Sequence, residues 1–159
     1  MLLQEGIHPV HINDLPTVLA VWEASVRATH HFLSEADILF FKPLVREALR
    51  DLLGLVCTRD QAGTVVGFVW VTDGEIAALF VHPAWRGRGV GCYLVTYAVE
   101  GYGATMVDVN EQNTQAVGFY RRMGFRVVGR SAVDSLGKPF PLLHMRVHHV
   151  AGGHIASDR

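Results

Sequence analysis

Two segments carry residues whose types and spacing suit chemistry. In the first, an apolar run, Leu79-Phe80-Val81, passes through His82-Pro83-Ala84-Trp85 into Arg86-Gly87-Arg88-Gly89-Val90-Gly91, and an amphipathic stretch follows. Gly87, Gly89 and Gly91 let the backbone approach a ligand and adopt positive φ. A helix starting here presents unpaired N–H groups and a partial positive charge, and Arg86 and Arg88 add full charges at the same mouth. That combination suits a phosphate group. No Gly-Lys-Ser/Thr tripeptide is present, so the loop is not a P-loop. The dinucleotide pattern G-x-G-x-x-G also fails, because Cys92 stands where its last glycine would fall.

The second segment runs from Asn110 to Phe125: Asn-Glu-Gln-Asn-Thr-Gln-Ala-Val-Gly-Phe-Tyr-Arg-Arg-Met-Gly-Phe. Asn113 and Tyr120 are two helical turns apart and share a face, with the small Ala116 between them leaving room for a ligand. Phe119 reads as a core aromatic.

Together the segments resemble the GNAT superfamily of acyl-CoA-dependent N-acyltransferases. Arg86, Gly89 and Gly91 match its Arg-x-x-Gly-x-Gly loop, and residues 110–125 match N-x-x-N-x-x-A-x-x-F-Y-x-x-x-G-F. The resemblance covers about residues 55–147, and the first helix more loosely. It implies that the loop, Arg86 to Gly91 with Gly87, Arg88 and Val90, binds the pyrophosphate of acetyl-CoA. It further implies that Asn113 contacts this cosubstrate and that Tyr120 lies near its sulfur. Two parallel strands, about 75–82 and 105–109, would splay to admit the pantetheine arm, with a backbone N–H near Phe80–Val81 facing the thioester oxygen. Acyl transfer to an amine needs a deprotonated amine, an oxyanion donor and a proton for the leaving thiolate. Tyr120 is the candidate acid.

Two residues are candidates for the base. Many family members carry a Glu at the position of Ala77, so this chain departs from the pattern there. Glu75, two residues earlier on the same strand face, could act through a water or be an ordinary strand-edge carboxylate. Ala28-Thr29-His30-His31-Phe32-Leu33 resembles an Ala-Thr-His-x-Phe-Leu segment found beside the acceptor site in some bacterial members of the superfamily. His30 sits at its histidine, and an imidazole is a base at neutral pH. The activity implied is direct transfer of acetyl from acetyl-CoA to a primary amine, on a small molecule or a protein. The missing Glu keeps a second reading open, a non-catalytic acyl-CoA-binding module.

The elements that position these residues follow from periodicity. A short strand near 7–11 precedes a helix capped by Asn13 or Asp14 and running to about Thr29–His31. Ser34 with Asp37 caps a second helix, which Pro43 should interrupt. Leu55–Thr58 and Val65–Thr72 form a hairpin across Asp60-Gln61-Ala62-Gly63. Strand 75–82, helix 89–100, strand 105–109, helix 113–123 and strands 125–129 and 142–147 complete an α/β (α+β) domain. Its expected form is a single mixed, mostly antiparallel sheet with one splayed parallel pair and helices on both faces, over residues 1–147. Residues 148–159 read as a flexible tail.

The chain has 159 residues and a formal net charge of −1. This length supports one core, and the charge argues against a nucleic-acid binder. No apolar run is long enough to span a membrane, no signal sequence is evident, and two cysteines cannot form a disulfide scaffold. The expectation is a cytoplasmic monomer or homodimer. Nine histidines lack metal-site spacing, so no metal is expected. Trp22 and Trp70 read as core residues.

Overall fold

The computed structural model describes residues 2–148. The segment expected to be a tail lies, from residue 149 on, outside the described residues. The strands are β1 (His8–Pro9), β2 (Leu55–Arg59), β3 (Val65–Thr72), β4 (Glu75–Val81), β5 (Met106–Asn110), β6 (Phe125–Ser131) and β7 (Leu142–Val147). The helices are α1 (Leu15–Thr29), α2 (Glu35–Leu49), α3 (Val90–Tyr102) and α4 (Thr114–Arg122). The strands form one sheet in the order β1-β2-β3-β4-β5-β7-β6, with β7 inserted between β5 and β6. Among the described residues every pairing is antiparallel except β4 with β5.

The sheet is apolar on both faces because its central strands are covered on both. Val18, Leu19, Trp22 and Val26 of α1 pack with Ile38 of α2 against Val65 and Phe68 of β3. On the other face, Leu94, Val95, Ala98 and Val99 of α3 join Val117 and Tyr120 of α4 against Val66, Val69, Val107 and Met145. β3 feeds both layers by alternation, with an extra residue at Val66 that puts Val65 on the same face as Phe68. Burial of these branched side chains supplies the main drive for folding.

Two local expectations are corrected. Asp14 precedes α1 but does not cap it; its carboxylate instead accepts the His11 N–H (2.8 Å) and both terminal nitrogens of Arg59 (3.0 and 2.7 Å). The charge-assisted bond to Arg59 holds its pKa down at about 2. Pro43 does not interrupt α2, which runs unbroken past it. The proline removes one bond to the Leu39 carbonyl, and Leu39 is on the solvent face at 60% exposure, where the loss costs least. The Ser34–Asp37 capping box forms as expected, with Asp37 N–H to Ser34 Oγ at 3.1 Å.

β4 carries the feature that shapes the site. Trp70 pairs with Ala78 and Val71 with Ile76, so Ala77 is an extra residue, a bulge. Beyond it β4 no longer pairs with β5: the parallel register holds only Glu75 with Met106 and Ile76 with Val107. β3 stays paired with β4 to Val81. The two central strands therefore separate toward their C-terminal ends.

Gly67, on β3 beneath the start of α3, keeps that helix close. A methyl there would lie 3.0 Å from Val90 Cγ1, 3.1 Å from Thr58 Oγ1 and 3.2 Å from Leu94 Cδ1. Gly67→Ala should cost about 1–3 kcal/mol by overpacking and lower the melting temperature by roughly 2–10 °C. Thermal unfolding followed by circular dichroism checks this.

Candidate active site

The gap between β4 and β5 opens into a cleft of about 570 Å3. The β4 strand, the glycine loop with the first turn of α3, one face of α4 along its length and the end of α1 line it. Phe80, Val81, Arg86, Gly87, Gly89, Val90, Gly91, Asn113, Tyr120 and His30 all face it. The elements thus bring most of the candidate residues to one place.

Backbone alternation assigns the donors along β4. His82 N–H donates to Val66 O (2.8 Å), so in this antiparallel pair Phe80 also points its N–H at β3. The N–H groups of Leu79 and Val81 then point toward β5, where the pairing has ended. Of the two residues expected to offer a donor, the register selects Val81.

The loop is built for a close approach. Gly87 and Gly89 adopt φ of 73° and 80°, a region that suits glycine. The first bond at the start of α3, Tyr93 N–H to Gly89 O (3.0 Å), leaves the N–H groups of the first turn without helical partners. Arg86 reaches across to α4 and donates to Gln115 Oε1 at 2.6 Å. Arg88 does not line the cleft; its guanidinium lies 5.1 Å from the centre of the buried Trp85 ring, a cation–π contact. Its expected place at the phosphate mouth is not where the fold puts it.

His30 ends α1, its N–H bonded to Val26 O (2.8 Å) and its carbonyl accepting Leu33 N–H (3.0 Å). Its ring lies between two polar partners. With the Thr29 hydroxyl donating to Ser25 O (2.8 Å), His30 Nδ1 at 2.7 Å is assigned as the protonated nitrogen that donates to Thr29 Oγ1. Asn113 Oδ1 accepts Ala116 N–H (3.2 Å) as the cap of α4, which turns its amide Nδ2 toward His30 Nε2 at 3.5 Å. Donor counting therefore leaves Nε2 as an unprotonated acceptor. The Asn113 contact is long, so that lone pair remains available. Phe32 and Phe80 stand 5.3 and 6.2 Å from the imidazole, ring centre to ring centre. Burial among them, with a smaller effect from His31, lowers the His30 pKa to about 4.

Tyr120 is buried, its ring packed edge-on to Phe119 and Phe125 at 5.2 and 5.3 Å. Burial raises its pKa, so the phenol stays protonated across the physiological range. The site thus holds a neutral acceptor nitrogen and a protonated donor oxygen in one cleft, the pairing that proton transfer in both directions needs.

Glu75 is not brought to this cleft. It lies on the paired segment before the bulge, where burial and then the charge of Asp108 raise its pKa. Trp22 is in the core, and Trp70 Nε1 donates to Leu53 O (3.0 Å). Cys92 lines the cleft, whereas Cys57 is buried and its thiol is pushed up to about 11. The roles of Ser25 and Gln115 carry no mark in the sequence, since each depends on a partner supplied by the fold. Among the described residues, no group of three or more His, Cys, Asp or Glu could hold a metal, and no helix is long and apolar enough to cross a membrane.

This fold and cleft define an acyltransferase, and the chain belongs to the GNAT acetyltransferase family. Residues 51–127 match the family described as acetyltransferase (GNAT) domain. The peptidyl-lysine N-acetyltransferase YjaB of Salmonella typhimurium is 47% identical over 128 residues, covering 80% of this chain and 88% of that protein. The solution structure of apo YjaB from Escherichia coli superposes with a TM-score of 0.78 at 37% identity, covering 94% of this chain and 100% of that one. At 19% identity, the PaiA N-acetyltransferase of Thermoplasma acidophilum, solved with coenzyme A, shares the fold with a TM-score of 0.73 over 93% of this chain and 100% of that one.

Burial of neutral His30 also links folding to pH. With its pKa at about 4 in the folded chain against 6.5 when unfolded, its contribution is fully present above pH 6.5 and is lost as pH falls toward 4. Urea unfolding between pH 7 and pH 4.5 should show a shallower loss of stability in His30→Gln than in the wild type.

Proposed function

We propose that the protein transfers the acetyl group of acetyl-CoA directly to a lysine side chain of a protein or peptide, with His30 as base and Tyr120 as acid. The observation that carries this reading is the His30 imidazole, held through Nδ1 by Thr29 Oγ1, in the same cleft as the glycine loop and the Tyr120 phenol. The name of the Salmonella relative, peptidyl-lysine N-acetyltransferase, supports the acceptor class.

In this mechanism the phosphates of acetyl-CoA sit on the first turn of α3 and beside Arg86. The thioester enters the gap beside β4, where the Val81 N–H donates to its carbonyl oxygen. A free lysine ammonium, with a pKa of about 10.4, is far too weak an acid for an imidazole whose own pKa is about 4, so it loses that proton to solvent first. Once the neutral amine attacks, the nitrogen becomes positively charged and strongly acidic, and a weak base suffices to take its second proton. His30 Nε2 accepts it while Nδ1–H stays on Thr29. Tyr120 then donates to the departing thiolate as the C–S bond breaks. Glu75 has no part in this route, and the absence of a Glu at position 77 is met by a base from α1.

Acetyl-CoA should raise the melting temperature, and turnover on lysine peptides should release thiol. His30→Ala and Tyr120→Phe should each lower kcat by roughly 10²–10⁴-fold with acetyl-CoA stabilisation retained. Thermal shift with a thiol-release assay tests this; full turnover in His30→Ala removes the base assignment. Because His30 is already neutral, the kcat/KM profile should rise with ionisation of the amine and show no inflection near pH 6.5.

A further inference from the structure

A second cluster of reactive side chains lies away from the cleft, across β5, β7 and β6. His144 Nδ1 is 2.6 Å from Asp108 Oδ1, and His144 Nε2 is 2.6 Å from Ser131 Oγ. An ionised Asp108 only accepts, so Nδ1 carries the proton and Nε2 accepts the Ser131 hydroxyl proton. This is the carboxylate–imidazole–hydroxyl order of an activated serine.

The sheet register builds this arrangement. Asp108 and His144 are directly opposite on β5 and β7. On β6 the register shifts between Val127 and Gly129, so Val128 is an extra residue. Without that bulge, strict alternation would put Ser131 on the face opposite His144; with it, Gly129 stands opposite His144 and Ser131 opposite Leu142, both on the His144 face. Gly129 lies against the ring, 3.4 Å from Cδ2 when a Cβ is built on it. Asp108 and His144 are 40% and 37% exposed and Ser131 is half-buried, so the cluster is open to solvent.

We propose that Ser131, His144 and Asp108 form a second site, a hydrolytic one in which Ser131 is the nucleophile toward short acyl esters. Ser131 Oγ bonds to the acyl carbon while its proton passes to His144 Nε2. That proton goes to the leaving alkoxide as the ester C–O bond breaks. Water then attacks the acyl-serine, gives its proton to Nε2, and the proton returns to Ser131 Oγ as the carboxylic acid departs. Asp108 is a positioning residue that holds the Nδ1–H tautomer.

The full-length chain, treated with diisopropyl fluorophosphate and mapped by peptide mass spectrometry, should carry one adduct, on Ser131. The adduct should form roughly 10²-fold more slowly in His144→Ala. Hydrolysis of 4-nitrophenyl acetate should fall by a similar factor in Ser131→Ala. Wild-type chain that is not modified at Ser131, or Ser131→Ala that hydrolyses the ester at the wild-type rate, overturns the proposal. The labelling of unaltered protein needs no variant to fold.

Discussion

The separation of β4 from β5 governs the molecule. A parallel pair in the middle of a covered sheet would ordinarily keep its ladder to the end, since an unpaired backbone group away from water is costly. Here the ladder stops after Ile76, one residue before the Ala77 bulge. β4 continues along β3, and β5 continues along β7. The N–H groups of Leu79 and Val81 are left facing a gap, and the cleft is the space beside them. The glycine loop follows at the end of the strand that turned away, and α4 begins just past the end of β5. The bulge, the gap, the loop and the cap of α4 are therefore parts of one backbone event rather than separate devices.

The histidine at the end of α1 is held by the same economy. Arg27 binds Glu23 and Glu35, and Lys42 binds Glu23, so the segment joining α1 to α2 is tied on its outer side. Exposed ion pairs contribute little each, and of these Arg27–Glu35 and Lys42–Glu23 join α1 to α2. On the inner side, Asn113 meets two needs with one amide: its oxygen caps α4 and its nitrogen points at His30. The second asparagine of the motif region, Asn110, makes a different bond, accepting Gln112 N–H at 2.9 Å to set the turn that leads there.

What was legible in the sequence is what local rules determine. The Ser34–Asp37 box, the β2–β3 hairpin and the glycine loop each depend on neighbours within a few residues, and each was readable. Tyr120 and Asn113 were readable because helical spacing puts them on one face. The link from Asn113 to His30 spans 83 positions and has no periodic signature. The insertion of β7 between β5 and β6 is equally silent, because the chain pattern shows that two final strands pair but not which of them meets β5. Pro43 misled because the cost of a helix proline depends on where the freed carbonyl points, which is a tertiary property. Glu75 and Arg88 misled because a bulge and an aromatic ring redirect them. Ser131 acquires its neighbours only through the Val128 bulge, which alternation alone does not disclose.

That insertion of β7 also sets an order of events for the growing chain. β5 is made well before the strand that flanks its far side, and β6 and the loop after it must be synthesised in between. Its register with β4 amounts to two residue pairs, a weak hold, whereas β7 pairs with it along all five of its residues. The last bond in that ladder, Val147 N–H to Thr105 O (2.9 Å), is made at the very end of the sheet. The far side of the gap between β4 and β5 is thus secured by contacts of long sequence separation, the kind that form late in folding. The glycine loop and the first turn of α3 are complete long before β7 is made, whereas the gap beside β4 is bounded only once β7 has paired with β5.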